Sequence, residues 1–401
     1  MRRARAVPVT ADAQRPPRTS RVGAAILTTT HAAPTVSGAP RPFRLGEPGF
    51  DSFPRRAWSR LLAQHARRTG AELLTCGDPN GYRLLRRAIL ECVAAARGVH
   101  AELDQVFLVR GTQAAVDLIA RLLLNPGEAA WVEDPGYLST RAILTANGIQ
   151  LAPVPVDAAG LVVAEGVRSC ANARAAFVTP SDHFPLSATL TLTRRMELLA
   201  WALQHNAWVI EDDYDSEFHY SVRPLPCLQG LDRSGNVLYI GTFSKTMFSA
   251  LRLGYLVVPP QLVALFERAR DRLDAIAPNV EQAALAEFIG SGAYARHVRR
   301  MRGLYLERQS FLVEQIREQL SPWLRAQPVN VGMQLVAWLQ DELGEARAVQ
   351  LAAAAQVDLR PLSLYSLQHR LAPGLVLGFA SYDQKESRSA VQRLASAFSR
   401  C

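Results

Sequence analysis

The chain writes 43 of its 45 basic side chains as arginine and keeps lysine at two positions, Lys245 and Lys385. The first lies in GTFSKTMFSALRLGY, residues 241–255. A guanidinium stays protonated, whereas a lysine amine can lose its proton and attack an aldehyde to form an imine. Drift toward arginine can replace surface lysines but not a lysine with that task. Thr242 and Ser244 stand beside Lys245, and Arg252 follows seven residues later. Two hydroxyls and a guanidinium are groups that neutralise a phosphate. Alone, a lysine after a strand is a solvated surface charge.

Two further stretches change the balance. IEDDYDSEFHY places Asp212 and Tyr214 after the apolar run AWVIE, and Arg110-Gly111-Thr112-Gln113 opens a helix after QVFLV. Glycine, a hydroxyl and free N–H groups at a helix N-terminus suit a phosphate, although Thr112 could equally be a simple cap. The acids after AWVIE could likewise be a helix cap or a solvated loop. In combination the residue types fit pyridoxal phosphate. Lysine forms the imine, and a carboxylate keeps the pyridine nitrogen protonated so that the ring accepts electrons. A phenol meets the ring hydroxyl, and hydroxyls, helix N–H groups and an arginine hold the phosphate.

Short apolar runs alternate with helical stretches from about residue 46. QVFLV precedes AAVDLIARLLL, ARAAFVT and TRRMELLAWALQH precede AWVIE, and VLYIG and RLGYLVV follow. Such alternation predicts a mostly parallel sheet with helices on both faces, whose ligands bind beyond the strands' carboxyl ends. From about residue 322 a smaller α/β unit reads strand, helix, strand, helix: VGMQLVAWL, EARAVQLAAAAQ, LVLGFAS and RSAVQRLASAF. The expected division is a basic, linker-like tail over 1–45, a large unit over 46–321 and a small C-terminal unit over 322–401.

The net charge is +9, but residues 1–45 carry eight arginines and one acid, so about +2 remains on the body. A folded DNA reader concentrates positive charge on its folded face; here it sits on a tail, and no sequence-specific DNA binding is expected of this chain. Arg-rich, acid-poor composition is also that of an organellar transit peptide. The five cysteines are scattered with no C-x-x-C spacing, which offers neither a zinc pattern nor a disulfide framework and fits a reducing, cytoplasmic setting. No apolar run approaches a membrane span.

The stretches GDPNGYRLLRRAI, GTQAAVDLIARLLLNPGE, WVEDPGY, IEDDYDSEFHY, YIGTFSKTMFSALRLGYLVVP and VDLRPLSLYS together resemble the class I/II aminotransferases, fold type I of the pyridoxal phosphate enzymes. More narrowly they resemble the aminotransferase-like body of MocR/GntR-type transcriptional regulators. The resemblance runs from about residue 42 to the C-terminus. It implies Lys245 as imine lysine and proton shuttle, Asp212 as partner of the pyridine nitrogen and Tyr214 as partner of the ring hydroxyl. Thr112, Gln113, Thr242, Ser244 and Arg252 match the phosphate cradle, Tyr137 in EDPGY the aromatic residue on the ring, and Arg360 the substrate-carboxylate arginine. It also implies a homodimer whose active sites are built across the interface.

Departures from the family pattern accompany this match. No counterpart of the winged-helix DNA-binding head of MocR-type proteins is expected before residue 46, the chain being either a headless remnant or a product whose true start lies upstream. Cys76 stands where a tyrosine is usual before GDP, and Ser249 where a proline is usual. The segment Pro180-Ser181-Asp182-His183-Phe184-Pro185-Leu186-Ser187 lacks the usual glycine and, with it, easy positive φ at the turn. Two readings follow. One is an aminotransferase moving an amino group between an amino acid or amine and a 2-oxo acid. The other is a non-catalytic body that senses pyridoxal phosphate and an amine for a regulator without its head. A different pyridoxal phosphate reaction, such as β-elimination or decarboxylation, stays open.

Overall fold

A computed structural model of the chain describes residues 19–28, 41–67, 70–75, 77–220, 224–273, 278–340 and 343–400. Twelve strands carry the site's framework: β1 (Val106–Val109), β2 (Ala129–Asp134), β3 (Gln150–Asp157), β4 (Gly160–Leu161), β5 (Ala175–Val178), β6 (Trp208–Asp213), β7 (Val237–Thr242), β8 (Gly254–Val257), β9 (Leu324–Ala326), β10 (Gln334–Leu339), β11 (Arg360–Pro361) and β12 (Gly374–Gly378). Eight of them form one sheet in the order β1-β8-β7-β6-β5-β2-β3-β4. Pairing is parallel from β3 through β2, β5 and β6 to β7, while β8 runs antiparallel to both β7 and β1. The large, mostly parallel mixed sheet expected from the sequence is therefore present.

Central strands buried on both faces read as continuous apolar runs. The central Val237–Thr242 is buried along its whole length, and so is the edge strand Val106–Val109, whose alternate residues enter cores on either face. The helix Thr112–Leu123 buries Ala115, Val116, Leu118, Ile119 and Ala120 against one face, where Ile210, Leu238, Ile240 and Leu256 meet it. On the other face, the helix Leu192–His205 packs Trp201 on Trp131 with ring centroids 3.8 Å apart. Burying one such aromatic side chain contributes about 2–3 kcal/mol.

The remaining strands form an antiparallel sheet, β11-β12-β10-β9, covered by the helices Glu345–Ala354 and Gln384–Phe398. The helix Ala293–Gln319, about 40 Å long at 1.5 Å per residue, ties the two sheets together. Its first turns place Tyr294 and Val298 in the core beside the large sheet, and Tyr305, Leu312 and Ile316 enter the core of the small one.

The N-terminal expectation is corrected at two points. Residues 41–45, assigned to the tail, lie in the fold: Phe43 is 1% exposed. Asp358 N donates to Pro42 O at 2.9 Å and Gly378 N to Phe43 O at 2.9 Å, so the segment runs along the edge of the small sheet. Arg21–Thr28 is a helix. Residues 1–18 and 29–40, and Cys76, lie outside the described residues.

Candidate functional site

The carboxyl ends of β6 and β7 and the start of the helix after β1 open into one cleft of about 560 Å³. Thr112, Gln113, Tyr137, Asp212, Tyr214, Thr242, Ser244, Lys245, Arg252 and Arg360 all line it. Thr112, Asp212 and Thr242 meet because their strands end on the same side of the large sheet, while Arg360, 248 positions after Thr112, enters from the small antiparallel sheet.

Lys245 sits on a helical turn after β7, closed by Met247 N donating to Phe243 O at 2.8 Å. The long helix holds that turn. Tyr294 OH donates to Thr246 Oγ1 at 3.0 Å and His297 Nε2 to Thr246 O at 2.8 Å. Burial lowers the imidazole's pKa, which keeps His297 neutral and suited to that bond. Lys245 Nζ donates to Gly46 O at 3.0 Å, and Gly46 has φ +77°.

Three consecutive acids at the end of β6 face different surroundings, because alternate residues of a strand point to opposite faces. Glu211 accepts from Leu228 N and Gln229 N at 2.9 and 3.0 Å; burial and then the charge of Asp213 push it up to about 7. Burial opposes ionisation of Asp213 as well, but the Arg97 guanidinium, with Nε at 2.9 Å, and the Tyr239 and Ser216 hydroxyls hold it below the ordinary aspartate value. Asp212 alone faces the cleft. Burial and Asp213 push it up to about 7, offset partly by Lys245 and by a long 3.5 Å contact from Thr112 Oγ1. A carboxyl so placed lacks a cationic partner, and a protonated pyridine nitrogen is a group that supplies one.

The other end of the cleft gathers a helix start, two hydroxyls and a guanidinium. Gly111, with φ +91°, leads into Thr112–Leu123, and a Cβ there would meet no protein atom within 4 Å, only the open cleft. First-turn N–H groups of that helix face this end. Thr242 Oγ1 donates to Ser244 Oγ at 3.0 Å and accepts from Ser244 N at 3.2 Å, which fixes both hydroxyls. Arg252 holds φ +50°, a left-handed conformation costing a non-glycine residue about 1–2 kcal/mol. Gln113 is turned aside, its Nε2 donating to Ser139 Oγ at 2.9 Å. Tyr137 packs edge-on to Phe184, with centroids 5.8 Å apart, and Phe184 on Tyr365 at 5.0 Å.

Tyr214 OH donates to Asp182 Oδ2 at 3.0 Å, while Gln334 Nε2 donates to Tyr214 OH at 3.1 Å and to Asp182 at 3.2 Å. Sequence reasoning singled out the segment around Asp182 only as a departure and did not reach Gln334 at all. Glu47, Arg44 and Asp358 also line the cleft; Arg44 Nε lies 3.5 Å from Asp358. A signal existed for none of these, since each is joined to the site by tertiary packing. Ser187 takes φ +53° without the glycine, so the turn keeps its shape under strain.

The sequence matches the family described as aminotransferase class I and II over residues 46–394. It is 40% identical over 356 residues to the probable rhizopine catabolism regulatory protein MocR of Rhizobium meliloti, covering 89% of this chain and 72% of that protein. It is 35% identical over 346 residues to the uncharacterized HTH-type transcriptional regulator YhdI of Bacillus subtilis, covering 86% and 73%. Among solved structures, Pyrococcus horikoshii kynurenine aminotransferase, crystallised in complex with PMP, superposes with a TM-score of 0.81 at 24% identity, over 91% of this chain and 92% of that one. That likeness fixes the fold, the one of the pyridoxal phosphate transferases.

Proposed function

The chain belongs to the aminotransferase class I and II family, and we propose that its cleft binds pyridoxal 5'-phosphate and exchanges an amino group between an amino acid or amine and a 2-oxo acid. The observation that carries this reading is the meeting of Lys245, Asp212, Tyr214 and the Thr112–Thr242–Ser244–Arg252 group in one cleft. Each has the chemistry that one part of the cofactor requires.

Pyridoxal phosphate held here supplies an electron sink for the pair left when a substrate C–H bond breaks. Lys245 is the residue whose neutral Nζ takes and returns the proton at the substrate carbon. Asp212 supplies the negative charge beside the pyridine nitrogen, and its burial makes that pairing strong. Thr112, Thr242, Ser244, Arg252 and the helix N-terminus hold the phosphate, with Gln113 at the same helix start. Tyr137 provides an aromatic wall, Tyr214 orients the ring hydroxyl, and Arg360 receives the substrate carboxylate as a charge-assisted pair. A homodimer in the cytoplasm is part of the same proposal.

A second reading is favoured by a specific finding: the 40% and 35% identical relatives are regulators by name. Under it the cleft binds cofactor and amine and reports occupancy without turnover. Purified protein loaded with pyridoxal phosphate and given a panel of amino acids separates the two. Conversion of the visible band to a pyridoxamine-type spectrum, reversed by a 2-oxo acid, supports amino transfer. A band perturbed but never converted supports the sensor.

A further inference from the structure

Two carboxyl groups meet beside Tyr214 that the proposed chemistry does not use. Asp182, in the loop after β5, and Asp215, just beyond β6, are exposed to only 2% and 1%. Each of the two carboxyls bears on the other's ionisation. Among the described residues, Asp182 Oδ1 and both oxygens of Asp215 have no donor. Two facing carboxylates cannot bond unless one of them carries a proton, and leaving both ionised in a buried site is strongly unfavourable.

Asp182 Oδ2 is engaged differently, accepting from Tyr214 OH and Gln334 Nε2. The approach depends on Gly332, whose φ is +89° and where a Cβ would lie 2.1 Å from Asp182 Oδ2. Gly332 N also donates to Phe218 O at 3.0 Å, and Tyr220 OH to Gly332 O, so the entry to β10 is pinned to the segment carrying Asp215. The carboxyl pair thus lies at the joint between the two sheets, with Asp182 bonded to Tyr214.

We propose that Asp182 and Asp215 share one proton in the folded chain, and that Asp182 is thereby the positioning residue for the Tyr214 hydroxyl. With one proton in the pair, Asp182 keeps its negative charge on Oδ2 and holds the Tyr214 proton. A second proton on Oδ2 turns Asp182 into a donor to the Tyr214 oxygen and frees the phenol proton to point into the cleft. No covalent bond changes; protons move between solvent and the pair. Other groups act on the pair. Burial first, then the Asp182 charge, drives Asp215 well above the ordinary range, with Lys245 opposing and Glu217 adding to it. Burial pushes Asp182 up to about 6 against the bonds from Asp215, Tyr214, Ser187 and Gln334. Tyr220 faces both carboxyls.

Thermal unfolding of the cofactor-free chain between about pH 5 and pH 8.5 tests the pair in wild type, Asp182→Asn, Asp215→Asn and Asp182→Ala. An asparagine carries a donor and an acceptor without needing the shared proton, so either asparagine variant gains in Tm over wild type as pH rises. Asp182→Ala removes the acceptor for Tyr214 and is less stable than Asp182→Asn at every pH. Parallel curves for wild type and both asparagine variants overturn the proposal, whatever the other buried acids contribute. The link to the cofactor rests on the proposed function and has its own readout. The absorbance of bound pyridoxal phosphate shifts with pH in wild type and stays constant in Asp182→Asn; a shift of equal size in the variant overturns that link. A chain that binds no cofactor refutes the proposed function, and the unfolding curves still decide the carboxyl pair.

Discussion

Lys245 Nζ donates to the carbonyl of Gly46, 199 residues earlier in the chain, at 3.0 Å. The N-terminal segment therefore closes over the amine and aims it into the cleft. Gly46 is required for its φ of +77°, and a Cβ there would lie 2.7 Å from Nζ, the movable end of the lysine. Gly46→Ala is expected to displace the amine and weaken pyridoxal phosphate capture by about tenfold, about 1.4 kcal/mol. Absorbance titration with the cofactor measures it, and unchanged affinity would count against the closure.

Asp212 gives a pH dependence whose sign is fixed by its upward shift to about 7. A raised carboxyl binds its proton more tightly in the folded chain, so it costs nothing below the ordinary aspartate value near 4 and costs progressively more up to about pH 7. Asp212→Asn is therefore expected to stabilise the cofactor-free chain by about 1 kcal/mol above that pH, after allowance for solvent in the cleft. With cofactor added the order reverses, because the carboxylate then has its cation. Thermal unfolding with and without pyridoxal phosphate checks both halves.

Arg97 and Asp213 lie on the face of the sheet away from the cleft, 5% and 0% exposed at the side chain. Removing the guanidinium in Arg97→Ala leaves a buried charge uncompensated and is expected to cost about 3–5 kcal/mol. Asp213 is held below its ordinary value. Its contribution is present above about pH 4 and is lost as pH falls through the lowered value. Denaturant unfolding at pH 7 and in acid tests the magnitude and the window.

Ser187 occupies a left-handed conformation at φ +53°. Ser187→Gly is expected to raise stability by about 1 kcal/mol, less the glycine's greater chain entropy when unfolded. A lower Tm in the variant would mean that the Ser187 hydroxyl contributes more than its backbone costs.

Arg360 is proposed to receive the substrate carboxylate. Arg360→Ala is expected to leave the cofactor's visible band intact while raising the amino acid concentration needed to perturb it by about tenfold or more, equivalent to about 1.4 kcal/mol. A simple amine without a carboxylate should be unaffected, which separates loss of recognition from general damage.

The fold was legible because its signals are local. Strands such as VLYIG and VFLV are short, apolar and followed by polar residues at their carboxyl ends. The helix Thr112–Leu123 announces itself by apolar spacing and a preceding glycine. The residues proposed to carry cofactor chemistry were singled out because composition isolates Lys245 and because Asp212 and Tyr214 come at the end of an apolar run. What stayed hidden depends on long-range packing. Asp182 meets Gln334 across 152 positions, and no period or spacing links them. Residues 41–45 read as tail because a lone buried Phe43 among prolines and arginines has no repeating pattern. Its place becomes visible only once the edge of the small sheet is built.

The central claim is that Lys245 is the covalent anchor for pyridoxal phosphate. Its most direct test is the visible absorbance of purified wild type, Lys245→Ala and Lys385→Ala, each mixed with the cofactor and passed over a desalting column. The account predicts a retained visible band in wild type and Lys385→Ala and none in Lys245→Ala. A band that survives in Lys245→Ala, or one lost only in Lys385→Ala, would contradict it.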